Sequence, residues 1–97
     1  MDSFKLDAVK GMVGDTVKIT NEETGIEITT TIDQVVEAPM NGDEWEAFSA
    51  IMHAKPESPG LSQGTYKISC DKLGEGNMFI SPNSPTEYEI VVTRKKH

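Results

Sequence analysis

Apolar residues recur at every second position along most of the chain. Val17 and Ile19 alternate with polar residues, turn-forming residues follow, and residues 26–32 alternate again. A period of two is typical of a β-strand with one buried face, so we predict a hairpin here. The adjacent Val35 and Val36 break the alternation, which predicts a bulge or a strand end that is buried on both faces.

The next apolar segment, residues 45–54, fits two periods. Trp45, Phe48 and Met52 are spaced as on one face of a helix, which leaves a helix over 43–54 as the rival interpretation. We favour a strand, because the neighbouring segments are strand-like and two prolines end this segment abruptly.

Three further segments, 66–70, 78–80 and 88–93, carry alternating or continuous apolar residues. We interpret residues 73–76 as a hairpin turn and residues 81–85 as a connecting loop, because both are rich in turn-forming residues. About six short strands joined by short turns predict a mainly β fold, a single antiparallel barrel or sandwich.

One stretch near the start has helical spacing. Val9 and Met12 lie three apart, Asp7 is a good N-cap, and Gly14 stands where a left-handed residue ends a helix. We therefore predict one short N-terminal helix over residues 8–13.

The chain has 97 residues, enough for one domain over 1–97 and too few for two ordinary cores. A barrel of this size needs its aromatic side chains to fill the core, which leaves little room for a large ligand cavity. The aromatic residues that we expect in the core are Trp45, Phe48, Tyr66, Phe79 and Tyr88.

Sixteen Asp and Glu residues against nine Lys and Arg give a net charge of −7. Such an acidic protein repels phosphate backbones, so we expect no nucleic-acid partner. Acidic residues are mostly a solvated surface; the alternative is a basic protein partner or a cation site. We predict that the basic residues 94–97 form a frayed tail.

Cys70 is the single cysteine, so an intramolecular disulfide cannot form. The first residues lack the pattern of a secretory signal, and the longest apolar runs are three residues, far below the roughly 20 that cross a bilayer. We expect a cytoplasmic protein that does not enter a membrane.

The residues that could perform catalysis are poorly arranged for it. Cys70 is in phase with the inward residues of its strand, whereas His53 is out of phase with its inward neighbours and should face solvent. The carboxylate pairs Glu44 with Glu46 and Glu87 with Glu89 should lie on solvated strand faces. We therefore predict no catalytic residues.

Metal and cofactor patterns are also weak. Residues 41–46 are acidic around Gly42, but an EF-hand loop with this glycine at its sixth position would need ligands where Pro39 and Phe48 stand. One cysteine and two histidines do not form a zinc pattern. We predict no metal site and no cofactor.

Several segments keep a particular order and spacing across most of the chain: Phe4–Leu6, Met12–Val17, Glu46–Ile51, Leu61–Tyr66, Leu73–Glu75, Met78–Pro82 and Tyr88–Val91. In these segments the chain resembles a family of bacterial proteins of about a hundred residues that is catalogued only as a domain of unknown function. Members of that family have no established catalytic residues and are sometimes encoded near phage-tail-like collar fibres. The resemblance implies an accessory part in assembling or capping such fibres.

We therefore expect a non-enzymatic structural or protein-binding module, which engages a protein partner through a strand edge or through the loops at 39–46 and 81–87. A homo-oligomer is a further possibility. The residues that we select for partner binding are Asp43, Glu44, Asn83 and Val91. Val91 should point outward, opposite to its neighbours, as should Ile51.

Two alternatives stay open. A small-ligand or cation-binding barrel would show a cavity lined by Tyr66, Tyr88 or Trp45. A small hydrolase would need His53 turned inward beside a carboxylate.

Overall fold

Six antiparallel strands close into a barrel, which confirms the predicted fold class and selects the barrel over the sandwich. The computed structural model describes residues 5–39 and 42–95. Around the barrel the strand order is β1-β2-β3-β6-β5-β4, and one short helix precedes the strands. The elements are α1 (Leu6–Lys10), β1 (Thr16–Thr20), β2 (Glu27–Glu37), β3 (Trp45–Ala54), β4 (Gly64–Cys70), β5 (Gly74–Ser84) and β6 (Glu87–Lys95).

The interior is filled by one face of every strand, as the period of two predicts. A single buried polar side chain interrupts this apolar core within the described residues, and its hydroxyl is satisfied: Thr30 Oγ1 donates to the Val17 carbonyl at 2.7 Å. Residues from strands β1 to β6 that are fully or almost fully buried include Val17, Ile19, Ile28, Ile32, Phe48, Ala50, Met52, Ile68, Ile80, Tyr88 and Ile90.

Two β-bulges interrupt the alternation. The β2–β3 register shifts between Ile32 and Gln34, and the β5–β6 register shifts between Pro82 and Ser84, so Asp33 and Asn83 are the extra residues. A bulge was expected near Val35 and Val36, and it lies two residues earlier. After it, Val35 is half-buried and Val36 is exposed, so the strand end is not buried on both faces.

The helix is shorter than predicted and starts earlier. It covers Leu6–Lys10 instead of 8–13, and Lys5, not Asp7, occupies the N-cap position. Leu6 and Val9 are buried against the core, so packing rather than capping by Asp7 fixes its position. Gly14 has the expected left-handed conformation, with φ of 94°, but it is the last residue of the turn at 11–14 and its N–H donates to the Ile32 carbonyl.

Residues 45–54 form strand β3, as favoured over the helix. The predicted loop at 81–85 was wrong for most of its length, because β5 continues to Ser84 and only Pro85 and Thr86 form the turn. Similarly, Gly74 already begins β5, so the preceding turn lies mainly at 71–73.

The predicted frayed tail begins too early. Arg94 and Lys95 belong to β6, where Arg94 pairs with Glu46 and Lys95 with Trp45 of β3. Their polar side chains suggested a tail, but strand pairing with β3 orders the backbone. Residues 96 and 97 lie outside the described part of the chain.

Two of the five aromatic residues assigned to the core are exposed. Phe48, Tyr66 and Tyr88 are buried, whereas Trp45 is 37% exposed and Phe79 is 50% exposed. Both exposed aromatics occupy outward positions of their strands, so strand phase, not residue type, decides their burial. In the described residues, no helix is long and apolar enough to span a membrane.

Candidate functional site: the outer face of four strands

The outward side chains of β2, β3, β6 and β5 form one continuous surface, which we call the outer face. In the strand register Val36 pairs with Ser49, and Ser49 pairs with Val91. Phe79 precedes Ile80, the β5 residue whose partner on β6 is the residue before Val91. Val36, Val91 and Phe79 are 44%, 58% and 50% exposed, and we call these three residues the outer apolar row.

The barrel has an upper end, at the turn between β5 and β6, and a lower end, where α1 lies. Toward the upper end, polar residues contact one another. His53 Nε2 lies 3.1 Å from Glu87 Oε1, and His53 Nδ1 lies 3.5 Å from Asp33 Oδ2. Asn83 Nδ2 donates to Glu87 at 3.1 Å and to Glu89 at 3.0 Å. We call these five residues the upper network.

Both bulges contribute a residue to the upper network. Asp33 and Asn83 are the extra residues of β2 and β5, and each places its side chain beside the β3–β6 pair of His53 and Glu87. Bulges commonly redirect a side chain in this way. The network therefore connects all four strands of the outer face.

The upper network offers little for catalysis or metal binding. His53 faces outward, as its phase predicted, and its side chain is 43% exposed. Cys70 is buried on the inward face of β4, so the two residues do not form a nucleophile and base. Within residues 5–39 and 42–95, no three His, Cys, Asp or Glu side chains are grouped to hold a metal ion.

The lower end has a different polar contact, in which Glu46 has the central place. Its Oε1 accepts the Leu6 N–H at 2.8 Å, and its Oε2 lies 3.3 Å from Arg94 Nε. The Glu46 side chain is only 13% exposed, so the expectation of a solvated carboxylate was wrong. A carboxylate beside the first N–H groups of a helix is electrostatically favourable, and here it fastens α1 to β3 and β6.

The four residues selected for partner binding do not form one site. Val91 is the most exposed member of the outer apolar row, as its phase predicted. Asn83 is exposed, but its amide is engaged in the upper network. Asp43 and Glu44 are exposed at the lower end, in the bend that leads into β3. Ile51, also expected to point outward, is half-buried.

The ladder between β5 and β6 covers only part of the two strands. The β5–β6 ladder runs from Ser84 and Glu87 to Ile80 and Ile90 and ends there. Below that point the strand register gives Gly74–Phe79 partners on β4 and Val91–Thr93 partners on β3, and it continues no further between β5 and β6 among the residues that the structure describes. We call these two segments the open seam. Two members of the outer apolar row border it, Phe79 on the β5 side and Val91 on the β6 side.

The tyrosines expected to line a ligand cavity use their hydroxyls internally. Tyr88 Oη accepts the Leu61 N–H at 3.0 Å, and Tyr66 Oη donates to the Ser62 carbonyl at 2.6 Å. Trp45 lies on the outer face. In the described part of the chain, every buried side-chain nitrogen and oxygen has a hydrogen-bond partner. An open cleft of about 590 Å³ lies beside His53, between β2 and the 55–59 segment.

Sequence reasoning missed two features that strand phase already contained. Glu46 is in phase with Phe48 and Ala50, which indicates an inward side chain. Phe79 is out of phase with Ile80, which indicates an outward one. The positions of Asp33 and Asn83 beside His53 carried no comparable signal, because they depend on two bulges.

The fold and the outer face together define a small closed antiparallel barrel with a helix at its lower end and an exposed apolar row on its side. The chain belongs to a family described as a domain of unknown function (DUF6916), whose family model matches residues 4–92. No curated protein matches the chain. No solved structure matches it either.

Proposed function

We propose that this protein is a non-enzymatic binding module that engages a protein partner through the outer apolar row. The observation that carries the proposal is the exposure of Val36, Val91 and Phe79, at 44%, 58% and 50%, on one continuous face. Single exposed apolar residues are ordinary, but apolar side chains that share a face are typical of an interaction surface.

The rest of the described surface supports this choice. The upper network uses its polar side chains for contacts with one another, and the tyrosine hydroxyls are bonded internally. The apolar row, in contrast, gains nothing from its exposure in the isolated barrel. Burial of such side chains by a partner is favourable by about 25 cal/mol for each Å² removed from water.

The wider role that we propose follows from the family resemblance. We propose a bacterial, cytoplasmic protein that acts as an accessory factor in assembling phage-tail-like fibres, with a fibre protein as its partner. The buried, unpaired Cys70 is compatible with a reducing compartment. The acidic surface makes a nucleic-acid partner unfavourable.

Photocross-linking in the native cells tests the proposal directly. The variant Val91→p-benzoylphenylalanine is compared with Val13→p-benzoylphenylalanine, because Val13 is a valine of similar exposure, 52%, in the turn after α1. We expect position 91 to give one stoichiometric adduct, identified by mass spectrometry as a fibre or fibre-assembly protein, and position 13 to give none.

Two results would contradict the proposal. Equal adducts at both positions would show non-specific capture, and no adduct at position 91 would remove the outer apolar row as the contact surface. An adduct with a second copy of this chain would replace the fibre partner with a homo-oligomer.

A further inference from the structure

We infer that the protein partner places an acidic side chain in a cleft beside the outer apolar row. The cleft lies at the lower end of the barrel, has a volume of about 390 Å³ and is lined by Lys5, Glu46, Arg94 and Lys95; we call it the lower cleft. This inference rests on the proposed function, because it states which charge the partner presents next to its apolar contact. Complementary charges around such a contact fix the orientation of a partner.

The lower cleft is positively charged although the protein is acidic. Three cations and one carboxylate line it, whereas the whole chain has a net charge of −7. The carboxylate is already engaged, because Glu46 accepts the Leu6 N–H at 2.8 Å and lies 3.3 Å from Arg94 Nε. Lys5 and Lys95 are both exposed, and they are the cations of the cleft that a partner can reach.

These two lysines differ from most other cations of the protein because they have no carboxylate partner. Among residues 5–39 and 42–95, the lysines without an ion pair are Lys5, Lys95 and Lys55, and the first two line the lower cleft. Asp43 and Glu44 are exposed in the bend that leads into β3, but in this part of the chain neither pairs with a cation. The cations that do pair with a carboxylate are Lys10, Lys18, Lys67, Lys72 and Arg94.

Strand β6 connects the lower cleft to the outer apolar row. Its outward positions, in order from the upper end, are Glu87, Glu89, Val91, Thr93 and Lys95. Val91 and Lys95 are four residues apart on the same face, a distance of about 14 Å along an extended strand. One partner surface can therefore contact both residues, with its acidic group at about this distance from its apolar group.

Charge at the other end of β6 disfavours the reverse orientation of the partner. Glu87, Glu89 and Asp33 belong to the upper network, where they contact His53 and Asn83. In the part of the chain that the structure describes, none of these three carboxylates pairs with a lysine or an arginine. An acidic group of the partner would meet like charge there, so the outer face favours that group at the lower cleft.

Photocross-linking from position 91 in the native cells measures the contribution of the two lysines. The double variant Lys5→Glu with Lys95→Glu is made in the Val91→p-benzoylphenylalanine chain. Lys18→Glu with Lys55→Glu is the matched control, because it changes the net charge equally on β1 and in the segment after β3, away from the lower cleft. We expect the first variant to lower the yield of the partner adduct at least about tenfold and the control to keep it within about twofold.

Carbodiimide coupling of the purified adduct identifies the group that contacts the lysines. The reagent joins a lysine amine to a neighbouring carboxylate as an amide, and it takes up the water that this reaction releases. We expect links from Lys5 or Lys95 to an Asp or Glu of the partner, found by mass spectrometry after digestion. Lys55, which is also exposed and without an ion pair in the described residues, should give no link to the partner.

The outcomes separate this inference from the proposed function. Equal adduct yields from the two double variants, or links from Lys5 and Lys95 only to carboxylates of this chain, would overturn the acidic contact. The proposed function survives those results, because Val91 still captures its partner. If no adduct forms even with both lysines present, both proposals fall.

Folding of the variants is checked by circular dichroism and urea denaturation. If the glutamate variant is unfolded, Lys5→Gln with Lys95→Gln replaces it, because glutamine removes the positive charge without adding a negative one. An adduct yield equal to that of the parent chain would then overturn the acidic contact in the same way.

Discussion

The upper and lower ends of the outer face contain the same four strands but use them differently. At the upper end β5 and β6 are paired, and Asp33, His53, Glu87 and Asn83 contact one another across the strands. Lower down, the β5–β6 ladder has ended, and the outward positions beside the seam include Phe79 and Val91, which are exposed.

The difference indicates which end of the outer face suits the proposed partner contact. Polar groups that already bond to one another would have to exchange those bonds on binding, with little net gain. Exposed apolar side chains, in contrast, gain from any partner that covers them. Under the proposed function, a partner would therefore contact the lower half of the outer face.

The largest expected effect separates the two sides of β6 at the seam. Ile90→Ala removes a fully buried side chain and should lower the free energy of unfolding by about 3 kcal/mol. Val91→Ala and Val91→Lys, one position further, should change it by less than about 0.5 kcal/mol, because Val91 is 58% exposed. Chemical denaturation measures both. A large loss of stability in the Val91 variants would show that this side chain is part of the core. The contrast between the upper and lower ends of the outer face would then be wrong.

An intermediate effect compares one carboxylate from each end. Glu46→Gln weakens the contacts with the Leu6 N–H and with Arg94 at a side chain that is 13% exposed, and should cost about 1–2 kcal/mol. Glu87→Gln acts on a more exposed side chain, 33%, and should cost about 0.5 kcal/mol. Urea denaturation of the two variants provides the test. If Glu87→Gln proved the more costly, the upper network would be a structural clamp rather than a surface contact.

The smallest expected effect on stability concerns the β5 side of the open seam. The hydrogen bond from Lys67 to Glu75, together with the charge of Glu75, raises the pKa of Lys67 above its usual 10.5. Since the folded state holds this proton more tightly, the contribution to stability is complete below pH 10.5 and is lost as the pH rises through the folded-state pKa. Because Lys67 is exposed to solvent, we expect a small effect.

An NMR titration of the Lys67 ammonium measures that pKa, and Glu75→Gln should lower it. The difference in melting temperature between wild type and Glu75→Gln should be constant at neutral pH and shrink under strongly alkaline conditions. An unchanged Lys67 titration in the variant would show that Glu75 is not its partner in solution.

The strands could be predicted from sequence because they depend on a local signal. Alternation assigned inward positions such as Ile19, Met52 and Ile68, and it also placed His53 and Val91 outside. The helix limits were displaced because α1 is held by tertiary contacts, including the Glu46 carboxylate from 40 positions away. Such long-range contacts leave no trace in the spacing of neighbouring residues.

The candidate site was predictable only in part. Val91 followed from phase, but its relation to Phe79 and Val36 requires the register of three strand pairs. The upper network requires two bulges, and each bulge shifts every subsequent side chain by one position. Predicting the open seam requires knowing where a ladder ends. That depends on how two strands diverge and not on any residue type.

Trp45 has an optical consequence. It is the single tryptophan of the sequence, it is 37% exposed on the outer face, and its partner in the register is Lys95 at the lower end of β6. Intrinsic fluorescence of this protein therefore originates from the half of the molecule beside the seam rather than from the core. A ligand that covers this region should shift the Trp45 emission toward the blue while the barrel stays folded. Binding to the native chain can therefore be followed by its intrinsic fluorescence, without a label.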